Sequence, residues 1–135
     1  MHEWALAESV VMTAVDIANK EDASKITKII VKVGELQQIE LDIFKYALDE
    51  IKKGTIMENA EIVLEEEEAI LKCRVCGHEW KYKDVLEKLN EDISEAIHFV
   101  PEMAHTYIRC PKCNSPDFEV IKGRGVWIKS IEVER

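Results

Sequence analysis

The segments LKCRVCGHEW (71–80) and IRCPKCNSPDF (108–118) hold all four cysteines of a 135-residue chain. Cys73, Cys76, Cys110 and Cys113 read C-x2-C, 33 intervening residues, C-x2-C. Two residues between thiolates let a tight turn aim both sulfurs and several backbone N–H groups at one ion, so each pair reads as a zinc knuckle. Gly77 and Asn114 follow the second cysteine of each pair and suit the positive φ of such a turn. Trp80 and Phe118 follow each second cysteine by four and five residues, where they can open the strands of a ribbon. The matched spacing favours one tetrathiolate metal site over disulfides and over a thioredoxin-like pair, which needs a single C-x2-C at a helix start. Spacing alone does not separate zinc from the iron of a rubredoxin-like site. A closed four-sulfur site is structural, with no open position for a substrate.

Outward from the knuckles the chain reads as α+β. Residues 4–18 predict a helix whose apolar stripe is Trp4, Ala7, Val11, Ala14 and Ala18, widened by Leu6, Val10 and Ile17. ITKIIVKV (26–33) alternates as a strand, with Ile29, Val31 and Val33 on one face. Asp42 is placed to cap a second helix that buries Ile43, Phe44, Ala47, Leu48 and Ile51 and stops at Gly54. AEIVLEEEEAILKC (60–73) reads as one long strand, its four glutamates 65–68 a solvated connector. A short helix is expected around Asp84 to Asn90, followed by a loop carrying His98 and His105. Two strands flank Gly123-Arg124-Gly125, the last (126–133) returning to the first sheet. The expected layout is two helices on a mixed sheet (1–68 plus 122–135), with a ribbon (69–121) inserted and a long excursion between its knuckles.

Composition narrows the function classes. The formal net charge is −9, and residues 69–121 carry seven Lys or Arg against nine Asp or Glu, so the ribbon lacks the basic face of a nucleic-acid reader. Abundant Glu and Lys with only Gln37 and Gln38 for glutamine is the tilt of hyperthermophile proteins. No run approaches the roughly 20 apolar residues of a membrane span, and no basic stretch leads into an apolar one, so a cytoplasmic protein is expected. Neither H-E-x-x-H, a nucleophile motif nor a phosphate loop occurs, so no enzyme is expected. A nucleic-acid-binding or adaptor ribbon and a rubredoxin-like electron carrier remain as alternatives.

The N-terminus offers a second metal site. The amine of Met1, the deprotonated amide nitrogen of His2 and its imidazole Nδ1 form adjoining chelate rings around one ion. Three in-plane nitrogens suit Ni(II) or Cu(II) before Zn(II), and a fourth position stays open for Glu3, another histidine or a partner's ligand. His98 is the first choice among histidines, read as lying on an extended stretch between Ile97 and Phe99; a surface or packing role is its simpler reading.

The start MHE (1–3), the stretch VGEL (33–36) and the two C-x2-C pairs followed by GRGVWI (123–128) together resemble the hydrogenase nickel-incorporation family, HypA. The resemblance spans essentially the whole chain. It implies a nickel metallochaperone that assists delivery of Ni(II) during maturation of nickel–iron hydrogenase. The implied partners are the nucleotide-hydrolysing maturation protein HypB and the hydrogenase large subunit. On that pattern Met1, His2 and Glu3 carry nickel in an α/β domain, and Cys73, Cys76, Cys110 and Cys113 carry structural zinc. The 33 residues between the knuckles exceed the commoner bacterial linker, and His78 alone closely follows a cysteine pair. Such a layout also leaves room for a homodimer that swaps the N-terminal helix or the inserted module.

Overall fold

The computed structural model describes residues 2–86, 91–100 and 107–135. Its elements are α1 (Glu3–Lys20), β1 (Lys25–Gly34), α2 (Leu41–Ile51), β2 (Glu61–Glu67), β3 (Ile70–Cys73), β4 (Glu79–Lys81), α3 (Tyr82–Leu86), α4 (Glu91–Phe99), β5 (Phe118–Lys122) and β6 (Val126–Glu134). They form two compact units, one of residues 1–33, 39–65 and 126–135, the other of residues 34–38 and 66–125.

In the first unit β1 lies between β2 and β6 and pairs antiparallel with β6. The register slips between Ile26 and Lys28. Such a bulge resets the two-residue alternation, so Ile26 is buried along with Ile29, Val31 and Val33. Helices α1 and α2 pack on each other, and Ala7, Val11, Ala14 and Ala18 join Phe44, Ala47 and Leu48 in one core with these strand residues.

The α1 stripe is rotated from the one expected. At 100° per residue its buried arc centres on Ala7 and Ala14, which places Glu3 inside the arc and Trp4 and Ile17 at its two edges. Glu3 is accordingly 2 % exposed, while Trp4 is 48 % exposed and meets the half-exposed Tyr46 of α2 edge to face at 6.0 Å. Similarly, Ile43 faces outward. Helix α2 begins one residue before Asp42, with Glu40 at the N-cap and no side-chain cap hydrogen bond. Asp42 instead lies in the first turn, where its charge complements the helix dipole.

The segment expected as one long strand is broken at Glu68–Ala69, and its halves belong to different sheets. The break is held by polar contacts that apolar periodicity does not reveal. Ala69 N–H donates to Glu35 Oε1 (2.9 Å) and Gly123 N–H to Glu67 Oε1 (2.9 Å). Glu68 pairs with Lys81 and Lys83, and Glu65 with Lys32 and Lys129. These three glutamates thus add specific contacts to a connector whose Glu65 and Glu68 side chains remain partly exposed to solvent.

The second unit is built on β3, flanked by β4 and β5 and antiparallel to both. Leu36, Ala69, Leu71, Trp80, Tyr82, Ile97 and Phe118 make its core, together with Cys73 and Cys110. Leu36 arrives from a 3₁₀ turn (Glu35–Gln37), and this stretch docks on the β5–β6 connection: N–H of Gly34, the residue before the turn, donates to Gly125 O (2.7 Å) and Leu36 N–H to Gly123 O (3.0 Å). The backbones approach so closely that a Cβ on Gly34 would lie 2.4 Å from Gly123 O, and one on Gly123, at φ +87°, 2.3 Å from the Cα of Ala69.

Gly123→Ala is expected to cost about 2–3 kcal/mol, since rigid backbone has to move to admit the methyl. Gly54→Ala is a control, because Gly54 has φ +79° but open space around it; only the left-handed strain of about 1 kcal/mol applies. Urea denaturation of the metal-loaded protein measures both, and equal costs would contradict the close-approach account.

Candidate metal centre

Each knuckle repeats one hydrogen-bond pattern. In the first, Cys73 N–H donates to His78 O (2.8 Å) and Gly77 N–H returns to Cys73 O (3.0 Å). In the second, Cys110 N–H donates to Ser115 O (2.9 Å) and Asn114 N–H to Cys110 O (2.8 Å). Gly77 at φ +78° and Asn114 at φ +63° are the left-handed positions that close the turns, as their spacing predicts. Val75 and Cys76 N–H both point at Cys73 Sγ (3.4 Å each), and Lys112 N–H points at Cys110 Sγ (3.4 Å). The turns are tied together by Arg74, whose N–H donates to Asp117 O (2.9 Å) and whose guanidinium pairs with Asp117 (3.0 Å) and Glu119 (3.7 Å). Nothing in the cysteine spacing signals Arg74 and Asp117; they meet only once the knuckles face each other.

All four sulfurs lie within 4.8 Å of one another. Cys73 and Cys113 Sγ are 3.5 Å apart and Cys76 and Cys110 Sγ 3.7 Å, well beyond a disulfide bond. A metal with four bonds of about 2.3 Å to sulfur has tetrahedral edges of about 3.8 Å, so the donor set fits such an ion. Cys73 and Cys110 are buried, Cys76 and Cys113 exposed. Behind the cluster Trp80 packs edge to face on Phe118 at 5.5 Å, and His78 stacks on Trp80 at 6.0 Å.

The thiols titrate as crowded neighbours. The N–H of Cys76 leads in drawing the Cys73 thiol down to about 7. Burial works to raise Cys110, but the N–H groups of Cys113 and Lys112 outweigh it and hold that thiol below its ordinary range. Cys113 goes the other way: the Ser115 N–H favours its thiolate, yet the neighbouring sulfurs, Cys73 first, and burial push it up to about 12. Without a cation the cluster therefore keeps a proton on Cys113 at neutral pH.

The N-terminal candidates occupy the other unit. Met1 lies outside the described residues. His2 is the N-cap of α1, half-buried, and its carbonyl accepts Leu6 N–H (3.1 Å). Glu3 is the one charged side chain among the described residues that is buried. Burial works to raise its carboxyl, yet hydrogen bonding and the charges of the amino terminus and His2 hold it below the usual carboxylate range. The signal for its burial was the helical phase shared with Ala7 and Ala14. His98 falls within helix α4 and not on an extended stretch; its side chain and all of His105 lie outside the described residues. No helix among the described residues is long and apolar enough to cross a membrane.

The pattern of the family described as "Hydrogenase/urease nickel incorporation, metallochaperone, hypA" matches residues 1–133. Proteins named hydrogenase maturation factor HypA from Pyrococcus abyssi and Thermococcus gammatolerans are 56 % and 50 % identical over 135 residues, covering 100 % of this chain and 97 % of each relative. The solution structure of the Ni metallochaperone HypA from Helicobacter pylori superposes with a TM-score of 0.65 at 22 % identity, over 99 % of this chain and 98 % of that one.

Because metal ligands have to lose their protons, a dication entering the four sulfurs of metal-free protein at pH 7 should displace at least the Cys113 proton. The Cys73 thiolate contributes stability above the ordinary thiol range that is lost as pH falls through about 7. Protonated Cys113 has the opposite sense, contributing below that range until pH rises through about 12. Binding heats in buffers of different ionisation enthalpy count the protons. Zero release at pH 7 would contradict the titration order.

Proposed function

Since this chain belongs to the HypA family of hydrogenase and urease nickel-incorporation metallochaperones, we propose that it binds one Ni(II) through the Met1 amine and the amide and imidazole nitrogens of His2, and surrenders it during maturation of nickel–iron hydrogenase. The observation that carries this reading is the Glu3 carboxylate, buried immediately beside His2 at the positive end of α1. A buried charge is retained where cations and dipoles stabilise it, and a metal held by His2 adds to that set. The amide of an N-cap residue stands outside the helical hydrogen-bond ladder, so its deprotonation breaks no helical bond. Glu3 then either orients the chelate or takes the fourth position, with His98 as the competing ligand.

The four cysteines hold Zn(II) on this reading. The ion is d10 and tetrahedral, and four thiolates close its coordination, so it cross-links β3, its knuckle and the second knuckle and takes no part in cargo transfer. Nickel belongs to the unit of α1, α2 and the β2-β1-β6 sheet, and zinc to the unit of β3, β4 and β5. The protein acts by holding and releasing a metal, with no bond of a substrate made or broken. Its working partners are HypB and the hydrogenase large subunit, and its compartment is the cytoplasm, where thiols stay reduced.

The test is titration of Ni(II) into zinc-loaded protein, followed by stoichiometry and the absorption of a square-planar complex. The native chain should take one nickel, and His2→Ala or a single residue added ahead of Met1 should weaken it by about tenfold or more. Binding should fade in mild acid as amine and imidazole protonate. His98→Ala changes the spectrum only if His98 is the fourth ligand. Equal binding by native and extended chains would overturn the terminal chelate, and a red iron chromophore in protein as isolated would overturn zinc in favour of a rubredoxin-like centre.

A further inference from the structure

A cavity of about 300 Å³ opens on the second knuckle, with Cys110 and Asn114 in its lining. Its wall is apolar where Val85, Ile108, Pro111 and the ring of Tyr107 line it, and cationic where Arg109 and Lys112 reach it. Ile108 is buried and both cations are exposed. Most described lysines and arginines are engaged by carboxylates, as expected of a chain with 27 Asp or Glu and 18 Lys or Arg. Among the described residues no carboxylate lies within ion-pair distance of Arg109 or Lys112. Two unmatched cations on one cavity, in a protein with carboxylates to spare, leave a complementary charge to be supplied from outside.

We infer that this cavity is a docking site for an acidic segment of a protein partner, one that presents a carboxylate next to an apolar side chain. The Arg109 guanidinium offers a planar fork that suits a carboxylate bidentately, and Lys112 adds a mobile point charge beside it. The apolar wall decides between classes of anion. Inorganic phosphate has no use for Val85, Ile108 and Pro111, whereas a leucine or isoleucine flanking a glutamate fills that space. The site lies in the unit of the four cysteines and involves none of the residues assigned to nickel, so it stands apart from the nickel reading.

The experiment uses the full, metal-loaded chain and a fluorescein-labelled, N-acetylated Leu-Glu-Glu-Leu peptide, with binding read by anisotropy. Saturable binding is expected, weakened about tenfold or more by Arg109→Glu or Lys112→Glu, partly kept by Arg109→Lys, and reduced between about 0.05 M and 0.5 M NaCl. A peptide with Gln in place of Glu should bind at least about tenfold more weakly. Absence of saturable binding overturns the inference. Displacement of the peptide by inorganic phosphate at constant ionic strength overturns it in favour of a general oxyanion site. Metal content is measured on every variant. If the charge reversals release metal while peptide binding by the loaded fraction is unchanged, the two cations serve as countercharge to the thiolates and the inference fails. Nickel stoichiometry is expected to be the same in all these variants, whichever way peptide binding falls.

Discussion

Four sulfurs held within 4.8 Å of one another cannot all ionise unless a cation stands among them. The second unit is arranged around that constraint. Its sheet is short, with β3 and β4 of four and three residues, and its apolar core leans directly on Cys73 and Cys110. A module with so small a core gains much of its definition from a cross-link. The backbone N–H groups aimed at Cys73 and Cys110 favour thiolates, while sulfur crowding keeps Cys113 protonated until a metal replaces its proton. The turn geometry prepares the site, and the cation completes it.

The first unit rests on helix–helix contact. Alanines at positions 7, 14 and 18 on α1 let that helix approach α2 and the sheet closely, with Phe44 and Leu48 filling the space between. The same helical phase carries Glu3 into the core side of the first turn. A carboxylate there is unfavourable by itself and becomes tolerable at the positive end of a helix. The metal reading at the amino terminus therefore grows from packing further along α1 as much as from the chelating ability of His2.

The cysteine knuckles were legible because their signal is local. Spacing fixes the turns, and Gly77 and Asn114 take the positive φ their positions imply. The return of the last strand to the first sheet was equally legible from the Gly123-Arg124-Gly125 turn, and it pairs there with β1. Three features were not. Trp4 and Ile43 read as core residues in sequence, since the apolar stripe is wider than the arc a neighbouring helix can cover. The break at Glu68–Ala69 depends on Glu35, 34 residues earlier in sequence, and on Gly123, and no local pattern announces either. Among the described side chains of the helix at Glu91–Phe99, Ile97 alone is buried, so few apolar anchors mark its period.

Residues 34–38 belong by contact to the unit that otherwise spans residues 66–125, with Leu36 fully buried in its core. The cysteine-bearing unit is thus discontinuous in sequence, and its boundaries are not places where the chain can be cut. A fragment of 66–125 would expose the apolar socket that Leu36 fills and lose the acceptor that Glu35 provides to Ala69. Autonomous folding would call for permutation of the chain, with the Gly34–Gln38 segment grafted by a linker to one end of the excised piece. The same threading restricts evolutionary shuffling: the ribbon cannot pass as a cassette into another host protein unless residues 34–38, its own part lying earlier in the sequence, travel with it.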